Sequence, residues 1–269
     1  METEASTKSP VVVFRKALLS SPGPLRADAS ALGTLPTAAF QYCEAIRTAS
    51  SFGWYIFPPC DIRALWDGTQ ILLARDGEWC PLDAVPYDVV NDIDPAFVDY
   101  WSKFAPQDLK KNWPPLVTGL FHPGILQIWS GLLVTTRKGW GLSVGPTCNL
   151  RSSSDYIPYE AIVEANHCRP LFINVQLITT GREIFISRSR PLFQVKPVHE
   201  SCFSDATMRC AELEGIVPAG DEEIGMTEAD WEGYRASVSL LYEPEAFSPG
   251  RYAVERRKNR KRGLQKETR

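Results

Sequence analysis

Three histidines, His122, His167 and His199, and two nearby carboxylates, Asp155 and Glu164, are the residues of this chain whose types suit a metal. Two imidazoles and a carboxylate around one ion would make the facial triad of a non-haem iron oxygenase. No H-x-[DE] spacing joins any of them, so His122, His167 and His199 form the alternative metal reading and not the first one. A His167–Cys168 nucleophilic dyad fails on strand geometry, because neighbours on a strand point to opposite faces. The stronger pattern is polar and aromatic. Glu164 and Asn166 share one parity, and Asn174 and Gln176 share one parity on the next apolar run. If those two faces meet across a hairpin beside Trp129 and Trp140, they form an aromatic-walled pocket whose amide and carboxylate groups orient a ligand. The competing reading is a solvated sheet face, which antiparallel sheets commonly present. The expected ligand site is therefore Trp129, Trp140, Asn149, Glu164, Asn166 and Asn174, with Trp54 as a further wall, and it requires no cofactor.

The elements that must position these residues lie mostly between Gly119 and Val198, where apolar runs alternate with Gly, Pro and Asn punctuation. Ile125–Thr136 alternates so that Leu126, Ile128, Leu132 and Val134 share a face. Trp140–Val144, Ala161–Cys168, Leu171–Ile178, Ile184–Ser187 and Leu192–Val198 read as further strands of an antiparallel set. Pro191 and Pro197 limit how centrally the ends of the last strand can pair. Upstream, Val11–Phe14 and Trp54–Phe57 are strands, and Asp67-Gly68 and Asp76-Gly77 mark turns. Four helices flank this core. One is capped at Thr34 and stopped by Gly53, and one is capped at Asp94 with Phe97, Trp101 and Phe104 as a core-facing stripe. One runs from Asp205 to Glu214, and one is capped at Thr227. The predicted fold is α+β, a mainly antiparallel β core of sandwich or β-clip type with four flanking helices. It forms a single domain over 1–249 with the β core at 119–198, followed by a basic tail at 250–269 without fixed structure.

With 269 residues and 44% hydrophobic content, the chain can bury a sizeable core. Its longest apolar runs are broken by polar residues and Gly well short of the ~20 residues of a spanning helix. The acidic opening Met1-Glu2-Thr3-Glu4 lacks the basic region of a secretory signal, so the expected location is the cytoplasm, with no membrane contact. Seven cysteines form an odd set without a C-x-x-C pair, which fits neither a zinc cage nor a disulfide framework. The net charge of −3 hides an asymmetry: the stretch from Arg251 to Arg269 holds nine Lys/Arg against two Glu, a charge of +7, so the remainder carries −10. The tail reads as a solvated end, a nucleic-acid contact or a dock for an acidic partner, and the acidic body argues against nucleic acid.

The run Gly124-Ile125-Leu126, Trp129, Gly131, Gly139-Trp140, Gly145-Pro146, Asn149, Ile162-Val163-Glu164, Asn174 and Pro191 to Val198 resembles a bacterial family known as "domain of unknown function 6065". Ser51-Phe52-Gly53-Trp54 and Asp67-Gly68 extend the resemblance upstream, so that it spans about residues 31–198. It implies no assigned activity. Where that family leads one to expect a Gly before the closing Pro, this chain has Arg188-Ser189-Arg190, and after Glu164 it reads Ala165-Asn166-His167. The closing strands are also loosely similar to the β-clip strands of nucleotide pyrophosphatases resembling dUTPase. No matching Ser-Gly or Asp-centred motif is present, which argues against nucleotide hydrolysis. The function expected from these observations is a non-catalytic or degenerate peptide-binding accessory protein of a bacterial modified-peptide or secondary-metabolite pathway. Its ligand would be an extended peptide or small molecule, and the chain would be a homodimer that covers its sheet edges. The alternative is a metal-dependent non-haem iron oxygenase or hydroxylase.

Overall fold

Among the described residues, alternating buried and partly exposed positions build three antiparallel sheets around one shared core. The computed structural model describes residues 9–82, 94–110, 112–120, 122–151, 153–205, 207–208 and 227–242. The chain divides into two compact units, residues 1–35 with 48–200, and residues 36–47 with 201–269. The predicted helix over Asp205–Glu214 lies outside the described residues apart from Asp205, Thr207 and Met208, and so does the basic tail. The fold class is as expected, α+β with mostly antiparallel sheets and four described helices.

The first sheet is built on the long strand β8 (Ile125–Thr136), which pairs along one side with β12 (Arg169–Leu177). On its other side β1 (Val12–Lys16) covers the C-terminal half and β7 (Val117–Gly119) the N-terminal half, while β10 (Tyr156–Pro158) lies beyond β12. The second sheet runs β11 (Ala161–Glu164), β9 (Trp140–Gly145), β14 (Phe193–His199), β3 (Trp54–Ile56), β2 (Leu25–Arg26). The third runs β13 (Glu183–Ile186), β4 (Ile62–Trp66), β5 (Ile71–Arg75), β6 (Glu78–Pro81). Leu126, Ile128, Leu132 and Val134 of β8 all point into the core, as the alternation predicts, and Leu171, Ile173, Val175 and Leu177 of β12 join them. Leu142, Phe193 and Val195 from the second sheet and Ala64, Ile184 and Ile186 from the third complete it.

A bulge interrupts β8. Phe172 stands opposite Trp129 and Pro170 opposite Leu133, so Ser130, Gly131 and Leu132 face the single residue Leu171. The Ser130 hydroxyl donates to Leu171 O (2.9 Å) and accepts from Leu132 N (3.3 Å). Gly131 takes φ +73°, and its carbonyl receives the amides of Ala17 and Leu18 as the chain leaves β1. On the outer side of the bulge, a second apolar cluster joins Leu18, Phe97, Leu116 and Trp129. Phe97 is carried by helix α3, Pro95–Phe104, whose cap Asp94 accepts a bond from Phe97 N (3.1 Å) and one from Ser20 N (3.2 Å). Phe104 does not reach this cluster. It is exposed on the last turn, where it stacks on Tyr100 at 4.9 Å.

Three local expectations change. The helix expected between Thr34 and Gly53 is two helices, α1 (Thr37–Tyr42) and α2 (Glu44–Ser50), broken at Cys43, which is extended (φ −108°, ψ 97°). Thr34 does not cap α1, because its hydroxyl donates to Ala31 O (2.7 Å). β13 and β14 belong to different sheets, β13 beside β4 and β14 between β9 and β3. The cap at Thr227 is as read: its hydroxyl accepts from Asp230 N (3.2 Å), and the Asp230 carboxylate accepts from Thr227 N (2.8 Å) at the head of α4, Glu228–Tyr242. No helix among the described residues is long and apolar enough to cross a membrane.

Candidate functional site

The premise of the expected pocket was that Glu164 and Asn166 face Asn174 and Gln176 across a hairpin. The strands that carry them do not pair with each other: β11 lies beside β9 in the second sheet, and β12 lies between β8 and β10 in the first. Glu164 and Asn166 are exposed. Asn174 accepts a bond from Gln127 Nε2 (3.1 Å) across the β8–β12 pair, and Gln176 accepts one from Tyr159 OH (3.0 Å). Trp129 is fully buried against Phe97, and its indole N–H donates to Leu132 O (3.0 Å), so it holds the bulge and reaches no ligand. Trp140 stands edge-on to His199 at 5.1 Å, and Trp54 edge-on to Phe14 at 5.4 Å. His122, His167 and His199 are exposed. Among the described residues no three His, Cys, Asp or Glu side chains gather into a metal-holding group, so the three histidines do not form a ligand set. The six described cysteines are free thiols.

The structure instead shows a cleft of about 210 Å³ where four separate segments meet. Its first wall is the loop after β9. Asn149 takes φ +58°, a left-handed turn that Asn tolerates, and its Nδ2 donates to Ser50 Oγ (3.1 Å). Gln194 of β14, 1% exposed, locks the same loop: Oε1 accepts from Cys148 N (2.7 Å) and Nε2 donates to Phe52 O (2.7 Å). Asn149 thus borders the cleft by holding its loop in place. The second wall is the turn from Ser187 to Leu192. Asp61 accepts from Arg188 N (2.7 Å), Arg190 N donates to Ser187 O (3.1 Å), and Leu192 N donates to Ile56 O (2.8 Å). Tyr156 and Pro158 of β10 form the third wall, and Leu32 and Thr34 the fourth.

The lining combines apolar residues, Pro146, Leu150 and Leu192, with the basic Arg151 and Arg190 and the hydroxyl-bearing Ser153 and Ser189. Arg190 Nη2 donates to Arg151 O (3.5 Å), which draws the two basic segments together. No Asp, Glu or His is among the described lining residues. Burial pushes the Tyr156 phenol above its ordinary range and the Arg190 charge pulls it back in part, so at neutral pH it is a protonated donor. Asp155 lies beside the rim and is tied off. Thr179 Oγ1 donates to it (2.9 Å) and holds it below the usual carboxylate range, with Arg182 adding to the effect. The Asp155 carboxylate at the rim adds to the upward push on the Tyr156 phenol. The cleft is therefore lined by basic and hydrogen-bond-donating residues together with apolar ones. That combination receives an anion attached to an apolar group. A smaller cavity of about 140 Å³ lies between Trp66, Gln70, His122 and Gly124.

No known family model matches the chain, and no curated protein does. The resemblance to the domain of unknown function thus has no family model behind it. Among solved structures the chain is similar to a mutant dUTPase from phage phi11 of S. aureus, with 10% identity, 79% of this chain and 100% of that chain covered, and a TM-score of 0.36. It is also similar to the dUTPase of Staphylococcus bacteriophage 80alpha with bound dUpNHpp, with 9% identity, 81% and 96% coverage, and a TM-score of 0.34. The expectation of a peptide-binding accessory protein and of its oxygenase alternative is corrected: β11 and β12 enter different sheets, so the expected pocket does not form, and among the described residues the histidines on which the oxygenase depended do not converge. At these TM-scores the likeness assigns no activity to this chain.

Proposed function

We propose that the chain binds a small phosphate-bearing molecule, a nucleotide by the chemistry of the lining, in the cleft bounded by Arg151, Tyr156, Arg190 and Leu32. The observation that supports this reading is that Arg151 and Arg190 line one cleft together with Pro146, Leu150 and Leu192, and that no described carboxylate is among the lining residues. Guanidinium forks match phosphate oxygens bidentately, while Pro146, Leu150 and Leu192 suit the face of a base or sugar ring. The reading is of binding and assigns no bond cleavage.

Calorimetric titration of the purified chain with dUTP, ATP and inorganic tripolyphosphate tests it. Binding of at least one nucleotide, weakened about tenfold by Arg190→Gln and made less sensitive to salt, is the expected result. Failure of all three to bind at millimolar concentration, or full affinity in Arg190→Gln, would overturn it.

A further inference from the structure

Ala31, Leu32 and Gly33 follow one another with φ of 49°, 54° and 78°. The left-handed region costs free energy for every residue with a Cβ, and consecutive non-glycine residues there are held by their surroundings. Here the holding groups are visible. One oxygen of Asp28 accepts from Ser30 N (2.7 Å) and Ser30 Oγ (2.5 Å), and the other accepts from Leu32 N (2.9 Å). Ser30 Oγ in turn accepts from Gly33 N (2.9 Å), and Thr34 N and Oγ1 both donate to Ala31 O. Ala31 is fully buried, so the core fixes one end of the turn, whereas Leu32 is 45% exposed on the cleft wall. Leu32 therefore combines a left-handed backbone with an exposed apolar side chain at the cleft wall. Its backbone favours glycine or asparagine, and an apolar side chain so exposed gains little from burial. Strain kept at a cavity wall points to a ligand contact.

We infer that Leu32 is a specificity-determining residue of the cleft, its side chain held by the Asp28-braced left-handed turn against the apolar ring of a bound nucleotide. This rests on the nucleotide reading of the cleft. The guanidinium groups would recognise the phosphates and Leu32 the nucleoside, so the two contributions are separable by ligand.

The test compares the full chain with Leu32→Gly in titrations against a nucleoside triphosphate and against inorganic tripolyphosphate, with thermal melting alongside. In Leu32→Gly the nucleoside triphosphate is expected to bind about tenfold more weakly, the scale of losing an apolar contact. Tripolyphosphate affinity should stay unchanged, and the melting temperature should rise as the strain is released. Leu32→Asn suits the same backbone without glycine's added freedom and should behave alike, which covers the case of a poorly folding glycine variant. If the wild-type chain binds the triphosphate and both variants bind it equally well, this inference alone fails. An equal loss for both ligands also overturns it, since that is the mark of a general collapse of the cleft. If the wild-type chain binds neither ligand, the nucleotide reading fails and this inference falls with it.

Discussion

Gln194 is fully buried, and both ends of its carboxamide are engaged by backbone groups on either side of β14. Gln194→Leu keeps the side-chain size but strands the Cys148 amide and the Phe52 carbonyl without partners. The expected loss is about 3 kcal/mol in chemical denaturation, and nucleotide affinity should fall with it because the Pro146–Arg151 loop comes loose. Asp155 makes a prediction in pH. Its carboxyl is held below the usual range in the folded chain, first by Thr179 and then by Arg182, so it binds its proton more readily when unfolded. The stability it contributes is present above the ordinary carboxylate range and is lost as pH falls through the lowered value. Asp155→Asn should flatten the acid limb of a denaturation midpoint plotted against pH and leave the neutral limb parallel to wild type. At this scale the sequence was readable in part. Asn149 stands beside the cleft, but as the brace of its loop. The basic residues of the cleft lining, Arg151 and Arg190, carry no motif. For Arg190 the signal was the Arg188-Ser189-Arg190 run where the resembled family leads one to expect Gly, since basic residues in a tight turn place charge on a surface that glycine would leave bare, and Arg151 had none.

At the scale of elements, the alternation in Ile125–Thr136 and Leu171–Ile178 identified the core faces of β8 and β12 correctly, because a period of two is a local property of the strand. The bulge does not disturb this reading. It inserts two extra residues opposite Leu171, so the even-numbered side chains stay on the core face on both sides of it. What it does determine is the exit of β1, where the amides of Ala17 and Leu18, just past the strand, meet the Gly131 carbonyl. A Cβ on Gly131 would lie 2.1 Å from Ser21 Oγ and 3.1 Å from Leu18 Cδ1, at a φ that side chains rarely adopt. Gly131→Ala is expected to cost at least ~2 kcal/mol in stability, measured as a drop in urea midpoint without a change in slope. The break between α1 and α2 was not legible. The apolar spacing of Ala39, Cys43 and Ile46 continues through it, and the extended backbone at Cys43 leaves no sign in residue type.

For the whole molecule, one core joins all three sheets, so they should unfold together. Phe193, fully buried on β14, is expected to cost about 3–5 kcal/mol on replacement by Ala. Fluorescence and far-ultraviolet circular dichroism should then report the same lowered transition, and separate transitions would show that the sheets melt independently. Strand order was the part hidden from the sequence. Parity tells which side chains face inward but not which strand lies alongside, so β11 and β12, neighbours in the chain, were expected to share a hairpin and in fact enter different sheets. The cleft escaped notice for the same reason, since its walls come from residues as far apart as Leu32 and Leu192. That distance sets an order of events during synthesis. Leu32 and Thr34 leave the ribosome early, and the wall they face is complete only once Leu192 has emerged and its amide can reach Ile56. A growing chain therefore cannot close the cleft around a ligand until Leu192 has left the ribosome.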